Sequence, residues 1–343
     1  MIWLAGVLVV ALLAGALAWS LGKPQSLPPP PNLNGYDCYV QAGTLAVLPN
    51  AHFTELSHET LRAVIRTNGE ALSLLRSGLT QRCVVPWSQV VADSTNGQTA
   101  FITALGGFKR LAQLLAAEGR LAEMEHRPAE AARSYLDCIR FGNEQSRGGP
   151  LISRLVGLAC EAIGYQPLLT LLPQLSHAEL RELARGLEEV RRASVPWDEV
   201  WRAERQYTTR YARSPFAWVI AYPQIVPAKL KAQQKDAAIV SKLTLLSVEL
   251  ALRCHQAEHG KPPEQLKELT PEFLKEIPPD PFNGKPLVYR PKGTNWVLYS
   301  VGPDRVDNGG VAVTRRGPNQ VSIGPPFLSI PVPAGDVFHD SVW

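Results

Sequence analysis

Three residues near the C-terminus have the types and the spacing of a zinc site. His255 and His259 are four positions apart, and Glu258 lies between them. On a helix this spacing puts both imidazoles on one face, one turn apart, where they can bind zinc while the carboxylate acts as a base. Gly260 follows at once, with two prolines after it, and a frayed helix end holds a metal poorly. A metal-dependent hydrolase that uses these residues is therefore the alternative function, and it needs a further ligand from a distant part of the chain.

A second group of possible metal ligands consists of oxygen donors further along the chain. Asp304, Asp307 and Asn308 offer carboxylate and amide oxygens within five residues. Calcium prefers about six to eight such oxygens on a flexible loop, and nearby glycines allow the backbone to wrap around an ion. Pro303 and Arg305 interrupt the acidic run, which lowers the affinity that we expect. The loop is predicted to bind calcium through these residues, or else to be a glycine-rich turn without metal.

A long helix and two strands must position both groups. Apolar residues at helical spacing predict one helix over 228–259 that ends at Gly260. Residues 287–290 and 296–301 are predicted to pair as antiparallel strands, with 292–295 in or beside the turn. The acidic loop then follows the second strand directly. The helix is predicted to bury three leucines against these strands: Leu243, Leu246 and Leu250.

Three short segments rich in glycine, proline and polar residues lie between or beside these elements. They are Gly260-Lys261-Pro262-Pro263 after the helix, Asp280-Pro281-Phe282-Asn283-Gly284-Lys285-Pro286 in a turn, and Tyr299-Ser300-Val301-Gly302-Pro303-Asp304 at the last strand. This order of helix, turn, strand and acidic loop resembles the C-terminal half of the major pseudopilin of type II secretion systems. The resemblance covers about 70 of 343 residues. It implies a small α+β module at the cell envelope, and it places Asp304 and Asp307 at acidic positions of the family's calcium loop.

The N-terminus is predicted to be a membrane helix. Residues 1–19 contain no charged side chain, and a helix of that length rises about 28 Å, close to the thickness of a bilayer core. A cleaved signal peptide ending at Ala16-Leu17-Ala18 is the other interpretation. We favour an uncleaved anchor over 1–20, followed by a Pro-rich linker over 21–50. The segment lacks the basic leader and the Glu-bearing helix of a true pseudopilin, so we expect no processing into a pilus.

Helical spacing continues through a domain over 51–227. Apolar residues recur at helical spacing from Leu61 to Leu75. The apolar stretch around 151–172 is predicted to be a buried helix pair rather than a second membrane span. The aromatic segment 216–222 is limited to two turns by flanking prolines. One hairpin has the residue offsets of a tetratricopeptide repeat, although an ordinary antiparallel pair fits as well; either form offers a surface for a protein partner. The offsets are those of Leu115, Gly119, Ala131 and Tyr135, with the turn at 126–128.

Composition narrows the classes of function. Hydrophobic residues make up 45% of the chain and charged residues 19%, so the chain is globular. The net charge of +4 comes from scattered residues, which argues against nucleic-acid binding. We therefore predict a mainly α protein with an N-terminal membrane helix, a helical-hairpin domain, a small α+β module with a short antiparallel sheet over 228–325, and a Pro-rich tail over 326–343. The predicted function is that of an envelope scaffold or binding protein, single-pass in the cell membrane, with its soluble part outside the cytoplasm.

Overall fold

Helical periodicity covers most of the chain, and the computed structural model is mainly helical with short antiparallel strand pairs, which confirms this part of the prediction. It describes residues 29–93, 96–211, 215–307, 309, 313–316 and 320–323. The predicted membrane helix over 1–20 and the Pro-rich tail over 326–343 lie outside these residues. The helical body begins earlier than predicted, because the helix Gly35–Leu45 lies within the predicted linker over 21–50 and buries Tyr36 and Tyr39 in the core. The helices in the described ranges are α1 Gly35–Leu45, α2 His58–Thr67, α3 Gly69–Leu79, α4 Trp87–Ala92, α5 Asn96–Met124, α6 Pro128–Glu144, α7 Leu151–Leu171, α8 His177–Arg192, α9 Trp197–Tyr211 and α10 Pro215–His259. The strands are β1 Val288–Lys292, β2 Asn295–Tyr299, β3 Val313–Arg316 and β4 Gln320–Ile323.

The start of α8 shows how local sequence sets a helix boundary. The backbone N–H of Glu179 donates to Ser176 Oγ at 3.4 Å, and the backbone N–H of Ser176 donates to Glu179 Oε2 at 2.7 Å. These reciprocal bonds satisfy two backbone donors that the first turn leaves without partners. The capped helix then buries Leu180, Leu183 and Leu187 on one face, as its spacing predicts.

Asn68 separates α2 from α3, although the helical spacing of the sequence continues through it. The side-chain amide donates to the carbonyl oxygens of Val47 and Val64, both at 2.8 Å, and the backbone N–H of Val47 donates to Asn68 Oδ1 at 2.8 Å. The side chain is 2% exposed. A buried amide must find partners, and here it finds them by joining the end of α2 to the chain that follows α1.

The predicted hairpin is formed by α5 and α6. A Cβ built on Gly119 would lie 2.4 Å from Cε1 of Tyr135, so the missing side chain lets the tyrosine ring cross directly over α5. The ring is fully buried, and its hydroxyl donates to Glu123 at 2.5 Å. His126 turns the chain with φ of 56°, and Pro128 begins α6. The structure thus contains the predicted helical hairpin, and its two helices cross closely at Gly119.

The apolar helix α7 packs inside the protein. A Cβ built on Gly157 would lie 2.4 Å from the carbonyl oxygen of Gly142, so the backbones of α6 and α7 touch. Among the described residues, only 151–174 is long and apolar enough to cross a membrane, and half of that stretch is buried. A core helix passes the same test. The contacts with α6 favour the predicted role in the core.

The long helix α10 begins earlier than predicted. It was expected to start near 228, but it begins at Pro215 and includes the aromatic segment 216–222. The prediction treated Pro223 as a stop. A proline removes one helical hydrogen bond and strains the preceding turn, but a helix can continue through it with a kink. The boundary placed at 227/228 therefore falls inside α10.

The C-terminal hairpin shares its core with the helical body. The strands β1 and β2 pair antiparallel, with Lys292 opposite Asn295 across the turn, which confirms the predicted pairing. Gly293 takes the positive φ of 62° that a tight turn requires. Leu298 of β2 belongs to one continuous core cluster with Leu187 of α8 and Leu246 of α10. A second pair, β3 with β4, was not predicted.

Candidate functional site

The two histidines of the predicted zinc site lie together at the end of α10. Their rings stack with centroids 4.2 Å apart. His255 Nδ1 lies 3.2 Å from the carbonyl oxygen of Lys261, and His259 Nδ1 lies 3.0 Å from the carbonyl oxygen of His255. A carbonyl oxygen only accepts, so each Nδ1 donates, and Nε2 of each ring forms no hydrogen bond within the described residues. The local spacing therefore brings the imidazoles together as predicted.

Glu258, the predicted base, is engaged elsewhere. Its Oε1 lies 3.0 Å from His177 Nε2 and 2.8 Å from a guanidinium nitrogen of Arg181, both on α8. Phe273 covers the edges of the stacked histidines, and Arg181 lies 5.4 Å from the centre of its ring. Within the described ranges, no group of three or more His, Cys, Asp or Glu side chains is placed to hold a metal ion. The contacts of Glu258 join α10 to α8.

The acidic loop lies beyond β2, as predicted. Asp304 Oδ1 accepts from the backbone N–H of Val306 at 3.2 Å. Asp307 accepts from the Tyr299 hydroxyl at 2.6 Å and from the backbone N–H of Gly309 at 2.9 Å. These bonds, the tyrosine first, lower the pKa of Asp307, and burial together with this carboxylate raises the pKa of Tyr299 to about 12. Both aspartates are exposed, and the third predicted ligand, Asn308, lies outside the described residues.

Asp280 holds the turn and the last strand together, and sequence reasoning missed this role. Its carboxylate is 1% exposed and accepts from the backbone N–H of Phe282 and of Val301, both at 2.9 Å. The bond from Phe282 closes a local Asx turn, and the bond from Val301 links this turn to the end of β2. The Asp-Pro dipeptide indicated the turn. Nothing in the local sequence indicated the bond to Val301.

A buried carboxylate fixes the hairpin on α10. Glu249 is 1% exposed; it accepts from Trp296 Nε1 at 2.8 Å and from Arg253 Nε at 2.8 Å. Burial raises the pKa of Glu249, and the two donors oppose that rise. The carboxylate lies one helical turn from Arg253, so the ion pair could be read from the sequence. The indole partner is 47 residues away and could not.

A second buried ionic group joins α7 to α10. Arg154 is 1% exposed and donates to Glu161 Oε1 at 2.5 Å and to Asp236 Oδ1 at 2.7 Å. Burial opposes the charge of Arg154, but the two carboxylates more than offset this and raise its pKa. Burial raises the pKa of Glu161, and the guanidinium opposes that rise. Arg154 and Glu161 both interrupt an apolar helical stretch of the sequence, but no local pattern indicates Asp236.

These contacts make the C-terminal hairpin an integral part of the helical body. Glu249 fixes its second strand, Asp280 fixes its preceding turn, and Glu258 ties the end of α10 to α8. Comparison with protein-family models, with curated proteins and with solved structures gives no match for this chain.

Proposed function

We propose that the chain is a membrane-anchored scaffold or binding protein of the cell envelope. Its N-terminal helix inserts in the membrane, and its soluble part lies outside the cytoplasm and contacts a protein partner. The observation that carries the proposal is the docking of the β1–β2 hairpin on the second half of α10 through Trp296 and the buried Glu249. A long helix that carries a small hairpin on its C-terminal half is the arrangement that the pseudopilin resemblance implies.

The resemblance extends the proposal to a type II secretion or pilus-like assembly. The turn that begins at Asp280 has the family's residue order, and its carboxylate bonds to the end of β2. The acidic loop follows that strand, as in the family pattern. A scaffold also needs a rigid frame, and the backbone contact between α6 and α7 at Gly142 and Gly157 supplies one.

The alternative function, a metal-dependent hydrolase, has one observation in its favour. The imidazoles of His255 and His259 are stacked, and in the described part of the chain Nε2 of neither ring has a hydrogen-bond partner. Nε2 is a common nitrogen for zinc. The alternative also needs Glu258 as a base, and that carboxylate is paired with Arg181. The geometry therefore supports the scaffold better than the hydrolase.

Membrane association is the direct test of the proposal. We expect the full-length protein to sediment with membranes and to stay there in alkaline carbonate, because 19 uncharged residues favour insertion. A variant with Val9→Arg and Leu13→Arg should move to the soluble fraction, whereas Leu230→Arg, on exposed surface of α10, should not. A mature protein that begins near Trp19, or a wild type that carbonate extracts, would contradict the anchor.

We also propose calcium binding at the acidic loop, through Asp304, Asp307 and Asn308. A weak extracellular-type site has a dissociation constant of about 1 mM, so 10 mM calcium adds about 1.4 kcal/mol to the folded state. The melting temperature of the full-length protein should rise by about 1–3 °C, and magnesium should raise it less. Asp304→Ala should abolish the rise and Asp37→Ala, on exposed surface of α1, should keep it. If the melting temperature is the same in calcium and in chelator, the calcium site is refuted and the loop is a metal-free turn.

A further inference from the structure

Three arginines line one cavity beside Pro30. The cavity has a volume of about 130 Å³, and its lining includes Arg82, Arg147, Arg202, Glu199 and Pro30. The cavity therefore has room for a small polar group.

The lining of the cavity carries a net positive charge. Within the described residues, none of the three guanidinium groups forms an ion pair: Arg147 and Arg202 donate only to the backbone carbonyls of Ala193 and Asp198. Arginines elsewhere, such as Arg62, Arg154 and Arg181, are paired with carboxylates. The one carboxylate in the lining, Glu199, accepts from the backbone N–H of Gly148 at 2.5 Å. Three positive charges against one negative leave a net charge of +2.

The walls that carry these arginines are fixed by hydrogen bonds. Asn34 exchanges two bonds with the backbone of Val84, at 2.8 and 2.9 Å, and the N–H of Val85 donates to the carbonyl of Arg147 at 2.8 Å. Trp87 lies in the lining, 3% exposed, with its indole N–H bonded to the carbonyl of Ala203 on α9 at 2.8 Å. A site whose frame is already ordered loses less entropy when a ligand binds.

We propose that this cavity binds a phosphate group, either as a free phosphate or as the headgroup of an anionic lipid. A net charge of +2 matches a phosphate dianion, and planar guanidinium groups bind phosphate oxygens through paired hydrogen bonds. The lipid source fits the geometry of the chain. Ten residues separate the proposed anchor over 1–20 from Pro30 in the lining, and ten residues of chain span at most about 35 Å. This short tether keeps the cavity within reach of the membrane surface if the proposed anchor is present; the free-phosphate source does not depend on the anchor.

Calorimetry on the full-length protein in uncharged detergent micelles tests the proposal. One arm titrates inorganic phosphate at constant ionic strength. The other titrates micelles that contain phosphatidic acid, with phosphatidylcholine micelles as the reference. We expect Arg82→Gln and Arg202→Gln each to weaken binding about tenfold or more, because each removes charge-assisted hydrogen bonds to the ligand. The guanidinium of Arg82 has no hydrogen bond to the described protein, so its replacement removes no internal side-chain contact of this kind.

Arg66→Gln is the matched control. This arginine is exposed on α2, also without an ion pair in the described chain, and lies outside the cavity lining. It should change binding less than about twofold. Binding of inorganic phosphate that the cavity variants weaken supports a free-phosphate site. Binding of phosphatidic acid alone, lost in the same variants, supports a lipid site. Failure of both ligands to bind, or an equal loss in Arg66→Gln, would overturn the proposal.

Discussion

Arg154→Met is expected to lower the free energy of unfolding by about 3–5 kcal/mol. The substitution keeps a side chain of similar length in α7 but removes the guanidinium that pairs with Glu161, a carboxylate that is 1% exposed. A buried carboxylate without a partner costs several kcal/mol. Asp236 also loses its partner, but its side chain is 18% exposed and water can replace part of the lost bond. Urea denaturation of the variant and the wild type, followed by circular dichroism, measures the difference.

The pH dependence identifies the cause of that loss. In the variant, burial and, to a smaller extent, the nearby carboxylate of Asp236 hold the pKa of Glu161 above its value in the unfolded chain, since the opposing guanidinium is gone. The folded protein then keeps a proton that the unfolded chain releases, so stability falls as pH rises above about 4.3, the pKa of an unperturbed glutamate. The deficit should be larger at pH 8 than at pH 5. The double variant with Glu161→Met should recover most of it, and a single variant within about 1 kcal/mol of the wild type at pH 8 would contradict the role of the pair.

Local sequence predicted elements of this fold well wherever the determinant is local. The turn at Gly293 depends on residues within a few positions, and it was predicted at the observed place. The capping box at Ser176 depends on residues that are equally near in sequence. Asn68 shows the limit. Its spacing fits one continuous helix, but its amide bonds to Val47, 21 residues away, and that distant partner decides where α2 ends. Pro223 shows the opposite error. The prediction treated this proline as the end of a helical segment, but the helix continues through it.

In the candidate site too, local sequence predicted the contacts between near neighbours and missed the contacts between distant elements. The stacking of His255 on His259 follows from their separation by one helical turn, so the motif alone predicted it. The partner of Glu258 is on α8, and the partner of Glu249 is on β2. Such pairs depend on how distant elements pack, which one sequence does not reveal. An ionisable residue inside an apolar helical stretch was a usable signal: Glu249 and Arg154 both interrupt such stretches, and both are buried with partners of complementary type.

Leu246→Ala is expected to lower the free energy of unfolding by about 2–5 kcal/mol. The side chain is fully buried in α10 and belongs to the core cluster that also contains Leu187 of α8 and Leu298 of β2. Truncation removes apolar contacts and leaves a cavity between elements that cannot all close around it. Because the cluster spans the helical body and the hairpin, we expect both to lose stability together. The chain has eight tryptophans, so the signal of Trp296 is taken as the near-ultraviolet difference between proteins with and without Trp296→Phe. That signal should melt at the same urea concentration as the helical signal.

Leu230→Ala is the matched control for this change. It makes the same substitution in the same helix, but the side chain of Leu230 is 55% exposed. Alanine and leucine have similar helix propensities, so the variant should stay within about 0.5 kcal/mol of the wild type. If Leu246→Ala were as mild as Leu230→Ala, the packing of α10 against the hairpin would be refuted. If the tryptophan signal melted before the helical signal in the Leu246 variant, the hairpin would be a separate unit, and the shared core would no longer explain how the proposed scaffold holds its C-terminal module.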